Sequence, residues 1–309
     1  MRKLITLTIL LISAGASAQN FCQRHKSAEP ITLTNAHNIT IRGDSINGGD
    51  VACITLYSCH DIRITHCFIG NSTTVGIHLY GCANIRIDSS FITNVSTGVY
   101  ALHSYAISVT YCEGKNMQGP YPRGAFVQFD EVSGPRCRVS YNKFENILGQ
   151  SHPEDAISMY KSNGNPKDPI QIIGNKIRGG GPSKTGGGIM LGDNGGSYMV
   201  AKDNILVNPG QYGMAISGGH NISIINNKIY SKGQLFTNVG LYIWAQADAD
   251  CSMDIISGNT VNWINKDGEQ NDTFDQGNCG PVPGWMTNNT EAKINENILP
   301  KQLLSPCNR

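Results

Sequence analysis

Cys53-Ile-Thr-Leu-Tyr-Ser-Cys59, Gly76-Ile-His-Leu-Tyr-Gly-Cys82 and Gly98-Val-Tyr-Ala-Leu-His-Ser104 are three versions of one seven-residue segment, recurring at steps of 23 and 22 residues. A period of that size is the spacing of stacked coils, each one turn of a solenoid. In each copy the second and fourth residues are apolar: Ile54 and Leu56, Ile77 and Leu79, Val99 and Ala101. Period-two alternation sends these to one face of a strand and turns Thr55, Tyr57, His78, Tyr80, Tyr100 and Leu102 to the other. Neighbouring strands lie about 4.8 Å apart, so matching positions of successive coils form columns, and the outward columns are where function is to be sought.

The pattern continues in Gly124-Ala-Phe-Val-Gln-Phe-Asp130, Ala156-Ile-Ser-Met-Tyr-Lys-Ser162, Gly188-Ile-Met-Leu-Gly-Asp-Asn194, Gly213-Met-Ala-Ile-Ser-Gly-Gly219 and Gly240-Leu-Tyr-Ile-Trp-Ala-Gln246, with Ile31-Thr-Leu-Thr34 starting the stack. Steps are 22 to 27 residues except for two of 32 flanking Ala156, where the longest insertions are expected to build walls beside the strand face. Each coil carries a second strand a few residues on: Ile62-Arg-Ile-Thr65, Ile85-Arg-Ile-Asp88, Ile107-Ser-Val-Thr110, Cys137-Arg-Val-Ser140, Ile170-Gln-Ile-Ile173 and Ile222-Ser-Ile-Ile225. It ends at a corner held by Cys67, Ser90 and Cys112 early in the chain and by Asn142, Asn175, Asp203, Asn227 and Asn259 later. Stacked asparagines at one corner satisfy turn amides coil after coil, which is a structural role. The expected fold is all-β, a single right-handed parallel β-helix of about nine coils over residues 19–265. Residues 266–309 form a C-terminal capping extension of the same domain, folded back over the last coil.

Residues 1–18 read as a secretory signal peptide: Arg2 and Lys3, an apolar run from Leu4 to Ile12, then Ala16-Ser-Ala18 before Gln19. The product is therefore expected to be secreted, periplasmic or extracellular, and no later stretch is apolar enough to cross a bilayer. Without Arg2 and Lys3 the chain holds 22 basic and 23 acidic residues, so a broad electrostatic footprint for nucleic acid is absent. All ten cysteines follow the signal, an even number in an oxidising compartment, which favours disulfides over metal sites. Cys59 with Cys82 and Cys251 with Cys279 are the pairings expected. No Cys-x-x-Cys pair occurs, and the single Cys-x-x-His, Cys22-Gln-Arg-His25, has no second such pair to join it, so zinc is not expected. Thirty-five glycines and 15% charged residues suit a turn-rich β chain, and a monomer is expected.

On this architecture and this corner column the chain resembles the polysaccharide-degrading β-helix enzymes: pectate and alginate lyases, chondroitinase-type lyases and polygalacturonases. The run from Glu154 to Gly164, with the later Gly-Gly-Gly-Pro-Ser and Gly-Gly-Gly-Ile-Met-Leu-Gly-Asp, is most similar to small alginate lyases such as those of polysaccharide lyase family thirty-one. The resemblance implies a secreted lyase acting on an anionic, uronic-acid polysaccharide of the alginate type. Adhesins and phage tail spikes share the fold, so architecture alone leaves function open.

Counted from the residue that opens each strand, the third place reads Thr55, His78, Tyr100, Phe126, Ser158, Met190, Ala215, Tyr242. The fifth reads Tyr57, Tyr80, Leu102, Gln128, Tyr160, Gly192, Ser217, Trp244. Aromatic outward faces stack on sugar rings, so His78, Tyr80, Tyr100, Phe126, Gln128, Tyr242 and Trp244 are candidate substrate contacts. Ionisable residues gather at the central strands: His103, Asp130, Glu131, Lys161 and Asp193 after them, and His152, Glu154 and Asp155 before one of them. β-Elimination needs C5 proton removal, neutralisation of the substrate carboxylate and protonation of the leaving oxygen. Tyr160 and Lys161 are the candidate acid/base pair, with Asp155 beside them. Asp193 would orient Lys161 or hold a calcium ion, the one cofactor this reading admits. His103, Arg178 and Lys184 would meet substrate carboxylates, and Asp130 and Glu154 would add polar contacts. A hydrolase would instead use two carboxylates from Glu154, Asp155, Asp130 and Asp193. Glu154-Asp-Ala-Ile-Ser-Met159 resembles the paired-aspartate strand of polygalacturonases and Ser217-Gly-Gly-His220 their histidine turn. That histidine falls one coil too far on, and the Arg-Ile-Lys signature is missing. A binding-only solenoid is the third reading.

Overall fold

The computed structural model describes residues 26–247, 249–283, 285, 290–291 and 293–306, so the signal segment 1–18, Cys22 and Cys307 lie outside the described residues. Each coil gives one strand to each of three sheets, and successive coils pair in parallel. The first sheet has ten strands, from Ile31–Thr34 to Thr273–Asp275; the second has ten, from His37–Arg42 to Cys251–Ser252; the third has eleven, from Lys26–Ala28 to Thr290–Glu291. The fold is a right-handed parallel β-helix. It has ten coils in the first sheet where nine were expected, because Thr273–Asp275, placed in the capping extension, pairs in register with Val239–Ile243 as a further strand.

The core is a set of ladders. Ile54, Ile77, Val99, Val127, Ile157 and Ile189 stack in one inward column of the first sheet, and Ile64, Ile87, Val109, Val139, Ile172, Ala201 and Ile224 in one of the second. Each fully buried Ile or Leu is worth about 1.5–3 kcal/mol, so these columns carry most of the stability. The third sheet contributes one inward residue per coil, among them Ile46, Ile69, Ile92, Phe144, Ile177, Leu206 and Ile229. At Gly114 this column has no side chain, and the Phe126 ring fills the space, stacked on Phe144 at 5.0 Å.

The corner column is real but is displaced by one residue: Asn204, not Asp203, belongs to it. Asn142, Asn175, Asn204, Asn227 and Asn259 are buried, and each Oδ1 from Asn175 onward accepts the backbone N–H of the asparagine one coil earlier at 2.9–3.1 Å. Each Nδ2 donates in turn to a backbone carbonyl, as Asn175 does to Val139 at 2.8 Å. The residue before each asparagine takes the left-handed backbone, which is where Asp203 sits, exposed, at φ 56°. The Cys251–Cys279 disulfide is formed as expected. Cys59 and Cys82 are not bonded. Parallel, in-register strands point their Cβ atoms the same way rather than at each other. Each thiol therefore donates to carbonyls, Cys82 to Leu56 at 3.2 Å.

Trp285 and Val282 pack on the core, but residues 293–306 do not stay at the last coil. They run back along the third sheet, where Asn262 Nδ2 donates to the Ile294 carbonyl, Leu299 and Leu303 pack on Val207, and the Ser305 N–H donates to Glu113.

Replacing Asn175 by Leu strands buried amides on both sides and is expected to cost on the order of 3 kcal/mol. Asp203→Ala is expected to stay within about 0.5 kcal/mol. Denaturant unfolding of the two variants checks this, and equal losses would reject the buried ladder.

Candidate active site

The outward face of the first sheet carries a groove of about 740 Å³ where the loops 116–126, 146–156 and 179–188 rise at the edge from which its strands start. Parallel pairing puts Gln128, Ser158 and Met190 in one column, the floor, and Asp130, Tyr160 and Asp193 in the next outward column, the far wall. Tyr121, Pro122, Arg123, Glu154, Asp155 and Thr185 form the near wall. The groove continues along the same sheet into a second depression of about 530 Å³ lined by Lys184, Tyr242, Trp244 and Phe274, sharing Thr185, Met190 and Gln246 with the first.

Two register details make this wall. Gln128 aligns with Tyr100, and Asp130 with Leu102, so the strand at Val127–Asp130 is offset by two from the expected alignment. Strict alternation from the inward Ile189 would also send Asp193 inward, because Gly192 would take the outward place. A register shift between Ser158 and Tyr160 instead brings Asp193 opposite Tyr160. Gly192 sits there at φ 63°, and a Cβ on it would run into the carbonyl of Gly218. Only glycine fits such a position.

Asp155 is partly buried and accepts hydrogen bonds from the hydroxyl of the fully buried Tyr212 and from the Gly187 N–H at 3.1 Å. Burial, with smaller contributions from the charges of Glu154 and Asp193, pushes its pKa up to about 7 against the pull of those bonds. Burial also raises Asp193, and the charge of Asp130 adds to it. Tyr100 is buried beneath the groove's end; its hydroxyl donates to Asp130 Oδ2 at 2.7 Å, and burial pushes its pKa to about 12. The Arg123 guanidinium lies 3.9 Å over the Tyr100 ring and donates to Gln128 Oε1 at 3.3 Å. Tyr160 OH accepts from Asn194 Nδ2 at 2.8 Å, and Glu154 accepts from the Thr185 hydroxyl. The groove lining thus holds four carboxylates and one guanidinium. Among the described residues no group of three or more His, Cys, Asp or Glu side chains is placed to hold a metal ion.

Of the residues singled out from the sequence, Tyr160, Asp193, Asp155, Asp130, Glu154 and Gln128 come together in the groove, and Lys184, Tyr242 and Trp244 in its continuation. Lys161 and His103 do not line it. Both occupy the left-handed corner that ends each strand, at φ 45° and 48°, which turns the chain away from the groove. The Lys161 ammonium stands 5.3 Å from the Tyr160 ring centroid, and His103 faces Glu131 at 3.2 Å. His78 stacks on Tyr100 at 5.5 Å; burial first and then the charge of Arg123 lower its pKa, and Tyr80 lies exposed further up the stack. Phe126 belongs to the core, because the 116–126 insertion leaves it opposite Gly98, where side chains point inward. Arg178 is on the third sheet, bound to Glu145 and to the carbonyls of Pro300 and Lys301. Sequence reasoning missed Arg123 and Tyr212, which meet Tyr100 and Asp155 far away along the chain; Pro120 and Pro122 just before Arg123 were the only local hint of a built loop.

A family profile described as a right-handed β-helix region matches residues 29–168. No curated protein matches the chain. Among solved structures it is similar to the catalytic domain of a GH87 α-1,3-glucanase variant in complex with tetrasaccharides, at 12% identity and a TM-score of 0.41, covering 83% of this chain and 54% of that one. A tailspike variant of E. coli bacteriophage HK620 in complex with a pentasaccharide gives 10% identity and a TM-score of 0.41, covering 90% of this chain and 62% of that one. The chain therefore spans between half and two thirds of the structures it matches.

Asp155 has a folded pKa of about 7, above its ordinary value of 3.8, so the fold favours its protonated form and ionisation weakens it as pH rises through that window. Asp155→Asn keeps the acceptor for Tyr212 and removes the charge. Above pH 7 it is expected to melt a few degrees higher than the parent, with the gap closing below pH 4. A gap independent of pH would show that Asp155 is ordinarily ionised.

Proposed function

We propose that the groove binds a glycan and hydrolyses a glycosidic bond. The observation that supports this reading is the placing of carboxylates on opposite walls, Asp155 on one and Asp193 with Asp130 on the other, across a floor of Gln128, Ser158 and Met190. Asp155, held protonated near neutral pH by burial, is the general acid that gives its proton to the leaving glycosidic oxygen. Asp193 on the far wall, ionised, takes a proton from the water that attacks the anomeric carbon. One water is consumed, and the products are a new reducing end and a free hydroxyl. Arg123 and Gln128 supply hydroxyl contacts, and Tyr242 and Trp244 give further sugars aromatic faces along the trough.

The second reading is β-elimination on a uronate polymer such as alginate, with Tyr160 as acid/base. Arg123 replaces Lys161 as the neutraliser, since it is the only cation among the residues lining the main groove. Four carboxylates around one guanidinium oppose an anionic sugar there, which favours hydrolysis.

Incubating the protein with neutral and acidic glycans distinguishes the two. New reducing ends without new ultraviolet absorbance support hydrolysis, whereas absorbance from unsaturated ends supports elimination. Asp155→Asn and Asp193→Asn are each expected to lower kcat/KM by about 10²–10⁴-fold. The parent rate is expected to fall as pH rises through about 7, where Asp155 loses its proton. Full activity in both variants would sink the assignment.

A further inference from the structure

We infer that the second sheet carries a separate binding site for an acidic sugar of a polysaccharide. A depression of about 330 Å³ opens on its outward face, away from the groove on the first sheet. Its charge follows from register. Arg63, Arg86, Ser108 and Arg138 occupy one outward column in successive coils, and Asp88, Thr110, Ser140 and Ile173 occupy the column two residues on. Arg63 reaches diagonally to the next coil and grips Asp88 with two bonds, at 2.8 and 3.1 Å. By the same diagonal Arg86 meets Thr110 and Arg138 meets Ile173, neither of which is an acid. Among the described residues neither Arg86 nor Arg138 makes an ion pair. The small Ser108 lies between them, so the backbone positions of the two arginines stand roughly 9.6 Å apart, and no carboxylate lines the depression they share.

The end of the depression is aromatic. Tyr111 and Tyr141 stack with centroids 5.2 Å apart, and each is 51% exposed. The half-exposed tyrosine rings favour a sugar ring over a bare anion, and guanidiniums favour a carboxylate or sulfate ester held by paired N–H bonds. The ligand that satisfies both is a uronate or a sulfated sugar. This site does not rest on the hydrolase reading, since it uses none of the groove's residues. It would hold an acidic stretch of polymer on a face other than the one where bonds are cut.

The test is binding of the full chain to polygalacturonate, alginate and chondroitin sulfate by affinity electrophoresis and calorimetry, with dextran as the neutral control. The acidic polymers are expected to bind and dextran to bind less well. The double variant Arg86→Gln/Arg138→Gln is expected to lose roughly tenfold or more in affinity, the worth of one or two charge-assisted bonds, and added salt to weaken binding. Tyr141→Ala is expected to lose affinity as well, while Lys228→Gln, which removes an exposed cation on the third sheet, leaves it unchanged. Arg86 and Tyr141 are exposed and Arg138 is half-buried, so each variant's melting temperature is checked first, and a double variant that unfolds is replaced by Arg138→Lys, which keeps the charge and loses the fork. Parental affinity in the double variant, no binding of any acidic polymer, or an equal loss of binding in Lys228→Gln would overturn the proposal. Inorganic sulfate binding as tightly as the polymers would overturn the sugar assignment. Because the readout is affinity rather than turnover, its failure is separable from failure of the hydrolase reading.

Discussion

Backbone N–H and C=O groups of each coil bond to the coil above at one fixed register, and a side chain has only the neighbours that this register allows. A slip of a single residue would turn a strand's inward set outward, so the Ile and Leu ladders and the outward columns are specified together. The asparagine corner strengthens the same constraint. Each of its side chains bonds to the coils on either side, which ties neighbouring coils to one alignment. Stability and surface chemistry are two results of one pairing.

That pairing also sorts charge. On the first sheet it gathers carboxylates around a half-enclosed groove, where loss of water and mutual repulsion raise Asp155 and Asp193. On the second sheet it sets arginines beside non-acidic partners, except at Arg63, whose diagonal neighbour is Asp88. The chain's near-zero net charge conceals this separation, because opposite charges occupy different faces of one rod.

Departures from the regular coil position the candidate site. The insertions at 116–126, 146–156 and 179–188 wall one edge, the bulge at Gly192 swings Asp193 outward, and the two-residue offset at Val127–Asp130 brings Asp130 into line with Tyr160. Each departs from the repeat at a different step, and all three meet within the same few coils.

The first and second sheets were legible in the sequence because four-residue strands with two inward apolar residues leave a visible alternation. The third was not. Its segments, such as Glu113–Lys115 and Lys143–Glu145, are three residues long and turn one side chain inward, and at Gly114 none at all, so no period can be read from them. The carboxylates of the groove were found by their position around the Ala156 strand, whereas Arg123, Tyr212 and the exclusion of Lys161, His103, Phe126 and Arg178 were not. The sequence by itself determined the repeat, the coil axis and the faces of most strands, since those depend on local alternation and spacing. Only the tertiary structure decided which outward residues share a cavity, because a one- or two-residue offset between coils more than twenty residues apart leaves local alternation intact while changing every neighbour across the sheet.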